Sequence, residues 1–325
     1  MRIKRNLLII GLTSLACFGL TACNGSEKTD QTKESAHADE SKQSSDKTQT
    51  ISYLDKEYTV PAKVDRIATA SLEAMEDAAV LGVKPVGAIT ISGELPAYLA
   101  DDLAGAKSIG EKTQPNYETL LELKPDVILW TSKAKENVTD QLTKVAPTFP
   151  YSHISTNWED NLKLMGKLTG KEAEAEKIIT DYNNNAGAAK EQLGESLKGK
   201  KVMVLRIRGG SVYVYPQDVY FNPVLYKDLG LDVPEVVKAA KAQEVISMEK
   251  LAEVNPDYVF LQFEESENAD KPKALEELEN NPIWKSMNAA KNGRVFVNAV
   301  DPLAQGGTAW SKNAFLKAAT DSLTE

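Results

Sequence analysis

One segment of this chain occurs twice. Residues 117–129 (YETLLELKPDVIL) recur 131 residues later as residues 248–260 (MEKLAEVNPDYVF), with the same Glu, Leu, Glu, Pro and Asp at five matched positions. Each copy has the apolar spacing of a helix that a proline ends, and a short apolar run typical of a buried strand follows directly. Because helix-to-strand steps build parallel α/β layers, the repeat predicts two similar α/β lobes with a cleft between them.

The first 22 residues are typical of a bacterial signal peptide. Three cations among the first five residues precede an apolar stretch of 14 residues. A helix of that length reaches about 21 Å, too short for a hydrocarbon core of about 30 Å. The following Leu-Thr-Ala-Cys resembles the bacterial lipobox and predicts lipidation of Cys23; an ordinary secretory signal cut after Ala22 is the alternative. Cys17 leaves with the signal, so we expect neither a disulfide nor a thiolate metal site.

The rest of the chain divides by composition. Residues 23–50 are predicted to be a lipidated tether, because positions 24–50 contain no large apolar side chain and cannot offset the entropy of ordering. We assign residues 51–156 to an N-terminal lobe, 157–198 to a connecting helix and 199–325 to a C-terminal lobe. Forty helical residues reach about 60 Å, so the connecting segment can cross both lobes even if it breaks near Gly170.

The net charge sets the context for any basic cluster. The chain carries −9, and loss of the three signal-peptide cations makes the mature form −12. An acidic protein of this kind is a poor partner for nucleic acid and for anionic lipid surfaces. A local group of cations in such a chain is therefore more informative than it would be in a neutral one.

Several cations fall where α/β proteins bind ligands. Arg206 and Arg208 are two residues apart on an apolar strand, so both point to one face near its carboxyl end, the edge at which open α/β sheets hold ligands. The other candidates follow a predicted strand or precede a copy of the repeat, and they are Lys112, Lys133, Lys241 and Gln243. The alternative for each is a solvated surface residue.

Five cations around one cleft predict a ligand with several negative charges. At an effective dielectric near 20, two unit charges about 5 Å apart gain roughly 3 kcal/mol before desolvation and screening. Three such pairs would account for micromolar to nanomolar affinity. Aromatic residues could form the apolar walls of the site, or simply pack in the core, and the candidates are Tyr213, Tyr215, Tyr220 and Trp310.

The sequence gives little support to catalysis. The only two histidines are His37, in the tether, and His153, so a Ser-His-Asp triad would need His153, which more simply is a structural residue after a strand. Glu73, Glu76 and Asp77 fall within one helical turn, and three acids so spaced predict a solvated face rather than a catalytic carboxylate pair. We therefore predict a binding protein and not an enzyme.

Nearly the whole mature chain resembles the ferric-siderophore-binding lipoproteins of Gram-positive ABC importers, closest to those that bind iron–bacillibactin and iron–enterobactin. The resemblance is carried by the repeat, the long helical segment and residues 204–208, 237–244, 281–285 and 300–312. It implies the class III substrate-binding fold, in which two Rossmann-like lobes are joined by a single long rigid helix. It further implies that the cleft holds an iron(III) triscatecholate whose iron the siderophore alone coordinates, so no cofactor and no protein metal ligand are expected.

The resemblance also implies residue roles. It makes Lys112, Lys133 and Arg208 the basic triad of a catecholate binder, with Arg206, Lys241 and Gln243 lining the same pocket. Gly209 departs from the pattern, since catecholate binders have Gln after the second arginine. Whether the pocket of this chain has the hydrogen bond that this Gln would make is therefore an open question. Glu118 and Glu249 of the repeat would dock on arginines of the two permease halves; the alternative is a carboxylate that favours a helix start by roughly 0.3–1 kcal/mol.

Together these features predict a monomeric, lipid-anchored receptor at the extracellular face of the cell membrane. It would capture ferric catecholate siderophores and deliver them to an ABC permease, a homodimer or a heterodimer, driven by a cytoplasmic ATPase. A receptor for a hydroxamate siderophore, a citrate-type siderophore or haem is the alternative within transport. An alternative from another functional class is a surface esterase that hydrolyses siderophores.

Overall fold

A computed structural model describes residues 47–324. The predicted signal peptide, Cys23 and most of the predicted tether lie outside the described residues. The described part begins with an antiparallel hairpin of β1 (Thr48–Tyr53) and β2 (Lys56–Pro61). Alternate residues of this hairpin, Ile51, Tyr53 and Val60, are buried against the core, as the period of two in a one-sided strand requires.

The first lobe is a six-stranded sheet with the order β6-β5-β4-β3-β7-β8, parallel except for β6. Its three central strands, residues 67–70, 87–90 and 127–131, are buried over their whole length, as expected of a parallel sheet covered by helices. Its elements in chain order are β3 (Ile67–Ala70), α1 (Leu72–Val80), β4 (Gly87–Thr90), β5 (Lys107–Glu111), β6 (Gln114–Pro115), α2 (Tyr117–Leu123), β7 (Val127–Thr131), α3 (Glu136–Thr143) and β8 (Thr148–Tyr151).

The segment predicted as one connecting helix is two helices, α4 (Trp158–Thr169) and α5 (Glu172–Leu193). Gly170 ends α4 in the left-handed region at φ 66°, a conformation that glycine adopts without steric cost. The two helices then fold back on each other. The contact between the rings of Trp158, at the start of α4, and Tyr182, in α5, shows this, since their centroids are 5.0 Å apart. The connection is a helical hairpin whose longer arm has 22 residues.

The second lobe is a five-stranded sheet with the order β11-β10-β9-β12-β13, in which β9, β12 and β13 are parallel. The α/β class and the two-lobe organisation predicted from the repeat are confirmed. Its elements are β9 (Val202–Arg208), β10 (Ser211–Val214), α6 (Glu235–Ala239), β11 (Glu244–Val245), α7 (Met248–Val254), β12 (Tyr258–Phe263), α8 (Ala274–Asn280), α9 (Pro282–Ser286), α10 (Asn288–Lys291), β13 (Val295–Val297) and α11 (Ala309–Leu323).

The two copies of the repeat have the same local structure. Asn116 and Ser247 accept hydrogen bonds from the third residue of α2 and α7, at 3.0 and 3.2 Å, and so cap both helices. Lys124 and Asn255 end them in the left-handed conformation, one residue before the prolines that begin each step into a strand. The repeat therefore places β7 and β12 at equivalent positions in the two sheets.

The acidic turn of α1 is buried, so the prediction of a solvated face for Glu73, Glu76 and Asp77 is wrong. Residues 305–311, which lead into α11 and form its first turn, cover these acids. Glu76 accepts from the backbone N–H of Gln305 and from three hydroxyls, those of Tyr98, Thr308 and Ser311. Asp77 accepts from the Tyr151 hydroxyl and the Ala309 N–H. Burial raises the pKa of Glu76 to about 7, against the effect of these bonds, and raises that of Asp77 well above its usual value.

Within residues 47–324, every helix is too short or too polar to cross a bilayer.

Candidate functional site

A small cavity lies between the two sheets at the carboxyl ends of their strands. It has a volume of about 50 Å³ and is reached by side chains of both lobes. We call it the cleft cavity, and its lining residues are Glu73, Lys112, Lys133, His153, Arg206, Arg208, Tyr215, Val219, Tyr220, Gln243, Glu267 and Gln305. A larger groove of about 660 Å³ between β13 and α11 has a single cation, Lys317, among its lining residues. Chemistry rather than size therefore marks the cleft cavity as the candidate site.

The cleft cavity brings together five of the six residues predicted to bind a ligand. Arg206 and Arg208 share a face of β9, Lys133 follows β7, and Lys112 lies in the turn between β5 and β6. Gln243 reaches the cavity from just before β11.

Lys241 is the exception among the predicted residues. Its side chain is exposed, and it does not line the cavity. Its backbone N–H donates to the carboxylate of Glu244 at 3.0 Å, which holds the turn in place. Among the predicted aromatic walls, Tyr215 and Tyr220 line the cavity, whereas Tyr213 does not. Trp310 packs on Tyr98 at 4.8 Å and lines the larger groove instead.

Glu267 holds both arginines. One carboxylate oxygen accepts from Arg206 Nε at 2.9 Å and lies 2.8 Å from its Nη2, and the other lies 3.1 Å from Arg208 Nη2. Arg206 also stacks over the ring of Tyr220 at 5.3 Å, and its side chain is 7% exposed. The guanidinium group of Arg206 is thus largely used by contacts within the protein. Arg208 is 38% exposed and has a second bond to Gln243 Oε1 at 2.8 Å, so it retains a face toward a ligand.

The two first-lobe lysines that line the cleft cavity have no acidic side chain paired with their charge. Neither Lys112 nor Lys133 has an acidic oxygen within 4.0 Å among residues 47–324. Burial lowers the pKa of Lys112, and the more distant Glu73 opposes that shift while Lys133 adds to it. Two like charges kept together without a local partner are unfavourable in the empty protein, and a polyanionic ligand would remove that penalty.

His153 lies beside Lys133 in the same wall. Its Nδ1 is 2.7 Å from Ser132 Oγ, and its backbone N–H donates to the same oxygen at 3.2 Å. Burial, and secondarily the charge of Lys133, lowers the pKa of His153 to about 4, so the ring is neutral at pH 7. Among residues 47–324 no carboxylate is hydrogen-bonded to this ring, so the pair lacks the orienting acid of a catalytic triad.

Sequence reasoning missed the two acids of the cleft cavity, Glu73 and Glu267. Glu267 lies 61 residues beyond Arg206, in the loop after β12. A signal for it existed, because the repeat makes that loop the counterpart of the loop after β7, which carries Lys133. Glu73 was assigned to a solvated helix face and could be recognised only once α11 was seen to cover α1.

The repeat acids Glu118 and Glu249 occupy equivalent exposed positions, each the second residue of its helix. Neither of them lines the cleft cavity. The described residues also contain no group of three or more His, Cys, Asp and Glu side chains that could hold a metal ion.

Comparisons with known proteins place the chain in a family. Residues 67–299 match the family model described as "Periplasmic binding protein". The chain is 49% identical to the iron-uptake system-binding protein of Bacillus subtilis (strain 168), over 100% of this chain and 99% of that protein. Among solved structures, B. subtilis FeuA, a triscatecholate siderophore binding protein complexed with ferri-bacillibactin, has 53% identity and a TM-score of 0.82, covering 85% of this chain and 98% of that one. Staphylococcus aureus SirA complexed with staphyloferrin B has 28% identity and a TM-score of 0.73, covering 85% and 99%.

Proposed function

Because the chain belongs to the periplasmic binding protein family, we propose that it is the receptor of an ABC importer that captures ferric catecholate siderophores. The named relatives support this reading, since the FeuA structure contains ferri-bacillibactin and the curated relative is an iron-uptake binding protein. The relatives named above are binding proteins, and we propose that this chain likewise binds its cargo without reacting with it.

The observation that carries the proposal is the set of available cations in the cleft cavity. Lys112 and Lys133 form no ion pair among residues 47–324, and Arg208, although bonded to Glu267 and Gln243, has a side chain that is 38% exposed. Four cations and two carboxylates line the cavity, and His153 is neutral at pH 7. The lining of the cavity therefore has a net charge of +2. An iron(III) triscatecholate carries three negative charges, and a compact anion of that kind matches the excess.

The cargo requires the cavity to open. Pockets for ligands of this size measure about 300–1,000 Å³, against about 50 Å³ here. Arg208, Gln243 and Glu267 close much of the space through their mutual bonds, and we propose that these side chains rearrange as the lobes separate around the cargo.

Gly209 bears on which catecholate fits. It has φ +53°, a conformation that favours glycine, and a Cβ placed there would meet no atom within 4 Å. Its N–H donates to the backbone oxygen of Glu267 at 3.0 Å. Gly209 does not itself line the cleft cavity, so we propose that this open space, where the resemblance implies glutamine, matters only for a cargo whose scaffold extends beyond the cavity.

We further propose the remaining parts of the delivery route. Cys23 carries the lipid, the residues after it tether the receptor at the extracellular face, and the chain works as a monomer. The exposed Glu118 and Glu249 dock on the two halves of a permease that a cytoplasmic ATPase drives.

Titration of tryptophan and tyrosine fluorescence with a panel of iron carriers tests the cargo. We expect the tightest quenching with ferric bacillibactin or ferric enterobactin, because a neutral ferrichrome gains nothing from the +2 cavity. Ferric citrate and haemin complete the panel. Tightest binding of ferrichrome or haemin would overturn the catecholate assignment.

The Ser132–His153 pair is the one observation that favours the esterase alternative. A serine hydroxyl 2.7 Å from a histidine ring is the arrangement in which histidine, as a general base, activates serine as a nucleophile. Incubation with ferric bacillibactin followed by mass analysis decides it. We expect the trilactone to be recovered intact; accumulation of hydrolysed units would establish the esterase.

A further inference from the structure

Tyr220 carries a buried polar atom that the protein leaves without a partner. The residue lines the cleft cavity and is 5% exposed, yet its hydroxyl makes no hydrogen bond with any other residue of 47–324. The other buried side-chain atoms of this kind in the described part of the chain belong to Trp130, Asn222 and Gln262, and none of these residues lines the cavity. The unused hydroxyl of Tyr220 therefore coincides with the candidate site.

The hydroxyl of Tyr220 is a donor that lacks an acceptor. Burial raises the pKa of Tyr220, so the hydroxyl keeps its proton at pH 7. The lysine and arginine side chains of the cavity are donors and cannot accept that proton in a hydrogen bond. Neither of the two carboxylates of the cavity, Glu73 and Glu267, is bonded to it. Because a buried donor without an acceptor is destabilising, the empty protein gains nothing from this hydroxyl.

The backbone of Tyr220 is held in a strained conformation. Its φ of 61° is a left-handed value that a bulky residue other than glycine rarely adopts. The Ser155 hydroxyl donates to its carbonyl oxygen at 2.8 Å, and Gly306 passes so close that a Cβ on that glycine would lie 2.5 Å from the same carbonyl carbon. Its ring lies under Arg206 at 5.3 Å and against Tyr215 at 4.9 Å. The position of this side chain is therefore fixed from several sides.

We propose that Tyr220 is a further cargo-binding residue, whose hydroxyl donates a hydrogen bond to an oxygen of the anionic iron centre. Catecholate oxygens carry the negative charge of such a complex, and an O–H donor to a charged oxygen forms a bond stronger than one between neutral groups. The bond forms when the side chains that close the cavity rearrange around the cargo. The inference rests on the proposed function and adds to its cations a neutral contact, which salt screens less than it screens charge pairs.

A pair of tyrosine variants tests this role. Tyr220→Phe removes the hydroxyl and keeps the ring. Tyr226→Phe is the matched control, because Tyr226 is a buried tyrosine of the same lobe outside the cavity whose hydroxyl donates to the Val202 carbonyl at 3.0 Å. Each full-length variant is titrated with ferric bacillibactin by fluorescence quenching, and its Tm is measured without cargo.

The two variants are expected to change opposite properties. We expect Tyr220→Phe to bind about tenfold more weakly than wild type with an equal or higher Tm, because it loses a bond to the cargo and none within the protein. We expect Tyr226→Phe to bind like wild type with a lower Tm. The weakening in Tyr220→Phe should also stay the same from low to high salt, whereas the weakening in Lys112→Ala should become smaller.

Three results would overturn the role of Tyr220. They are wild-type affinity in Tyr220→Phe, a Tm lowered as far as that of Tyr226→Phe, and a loss of affinity that salt removes. The second would mean that the hydroxyl is already bonded in the empty protein, and the third that the variant acts only through the charge of Arg206. Wild-type protein that does not bind ferric bacillibactin would instead contradict the proposed function.

Discussion

Replacing Lys112, Lys133 and Arg208 together by alanine is expected to weaken binding of ferric bacillibactin by at least about a hundredfold. Each substitution removes a charge that faces the anionic cargo, and a pair at about 5 Å gains roughly 3 kcal/mol at an effective dielectric near 20. The sum is discounted for exposure, since Lys133 is exposed and Arg208 is 38% exposed. Fluorescence quenching measures the affinity.

The control for this prediction has the same change in net charge. Lys135, Lys198 and Lys241 are exposed, lie outside the cleft cavity and are replaced together by alanine. We expect that protein to bind within about threefold of wild type. The triple cavity variant should still fold, because it removes no core volume and Glu267 keeps its bonds to Arg206. Wild-type affinity in the cavity variant would move the binding site elsewhere.

Replacing Glu118 and Glu249 by alanine is expected to leave ferric bacillibactin binding unchanged while abolishing iron uptake by cells that carry the variant as their sole receptor for this cargo. Both acids are exposed, one on each lobe at equivalent positions of the repeat, and neither lines the cavity. Uptake of radioactive iron from the complex, with binding measured on purified protein, separates docking from capture.

Helix stability is the competing explanation for these two glutamates, and a second variant tests it. Glu136 and Glu276 are exposed acids in the first turns of α3 and α8, so their removal has the same effect on charge and on helix dipoles. We expect Glu136→Ala with Glu276→Ala to transport normally. Normal uptake by the Glu118 and Glu249 variant would assign those residues to their helices alone.

The repeat made the fold predictable because all its signals are local. Capping residues, apolar spacing and a proline fix the ends of α2 and α7, and the strands that follow need only the next few residues. The connecting segment shows the limit of this reasoning. Gly170 was visible in the sequence, but whether the chain would kink or fold back depends on Trp158 meeting Tyr182, a contact that spacing alone does not reveal.

The candidate site divides in the same way. Arg206 and Arg208 could be placed because the period of two in a strand is a local rule. Glu73 and Glu267 could not, since each is defined by residues distant in sequence. The burial of α1 depends on Thr308, 232 residues from Glu76, and the pairing of Arg206 depends on a loop of another strand. A charged side chain has the same sequence signature whether it is solvated, paired or waiting for a ligand.

A crystal structure of the protein loaded with ferric bacillibactin, with the iron located by its anomalous scattering, tests the central claim most directly. We expect the iron between the two sheets, with the side-chain nitrogens of Lys112, Lys133 and Arg208 turned toward the catecholate oxygens. Iron bound elsewhere, or these three groups facing bulk water in the loaded protein, would contradict the account.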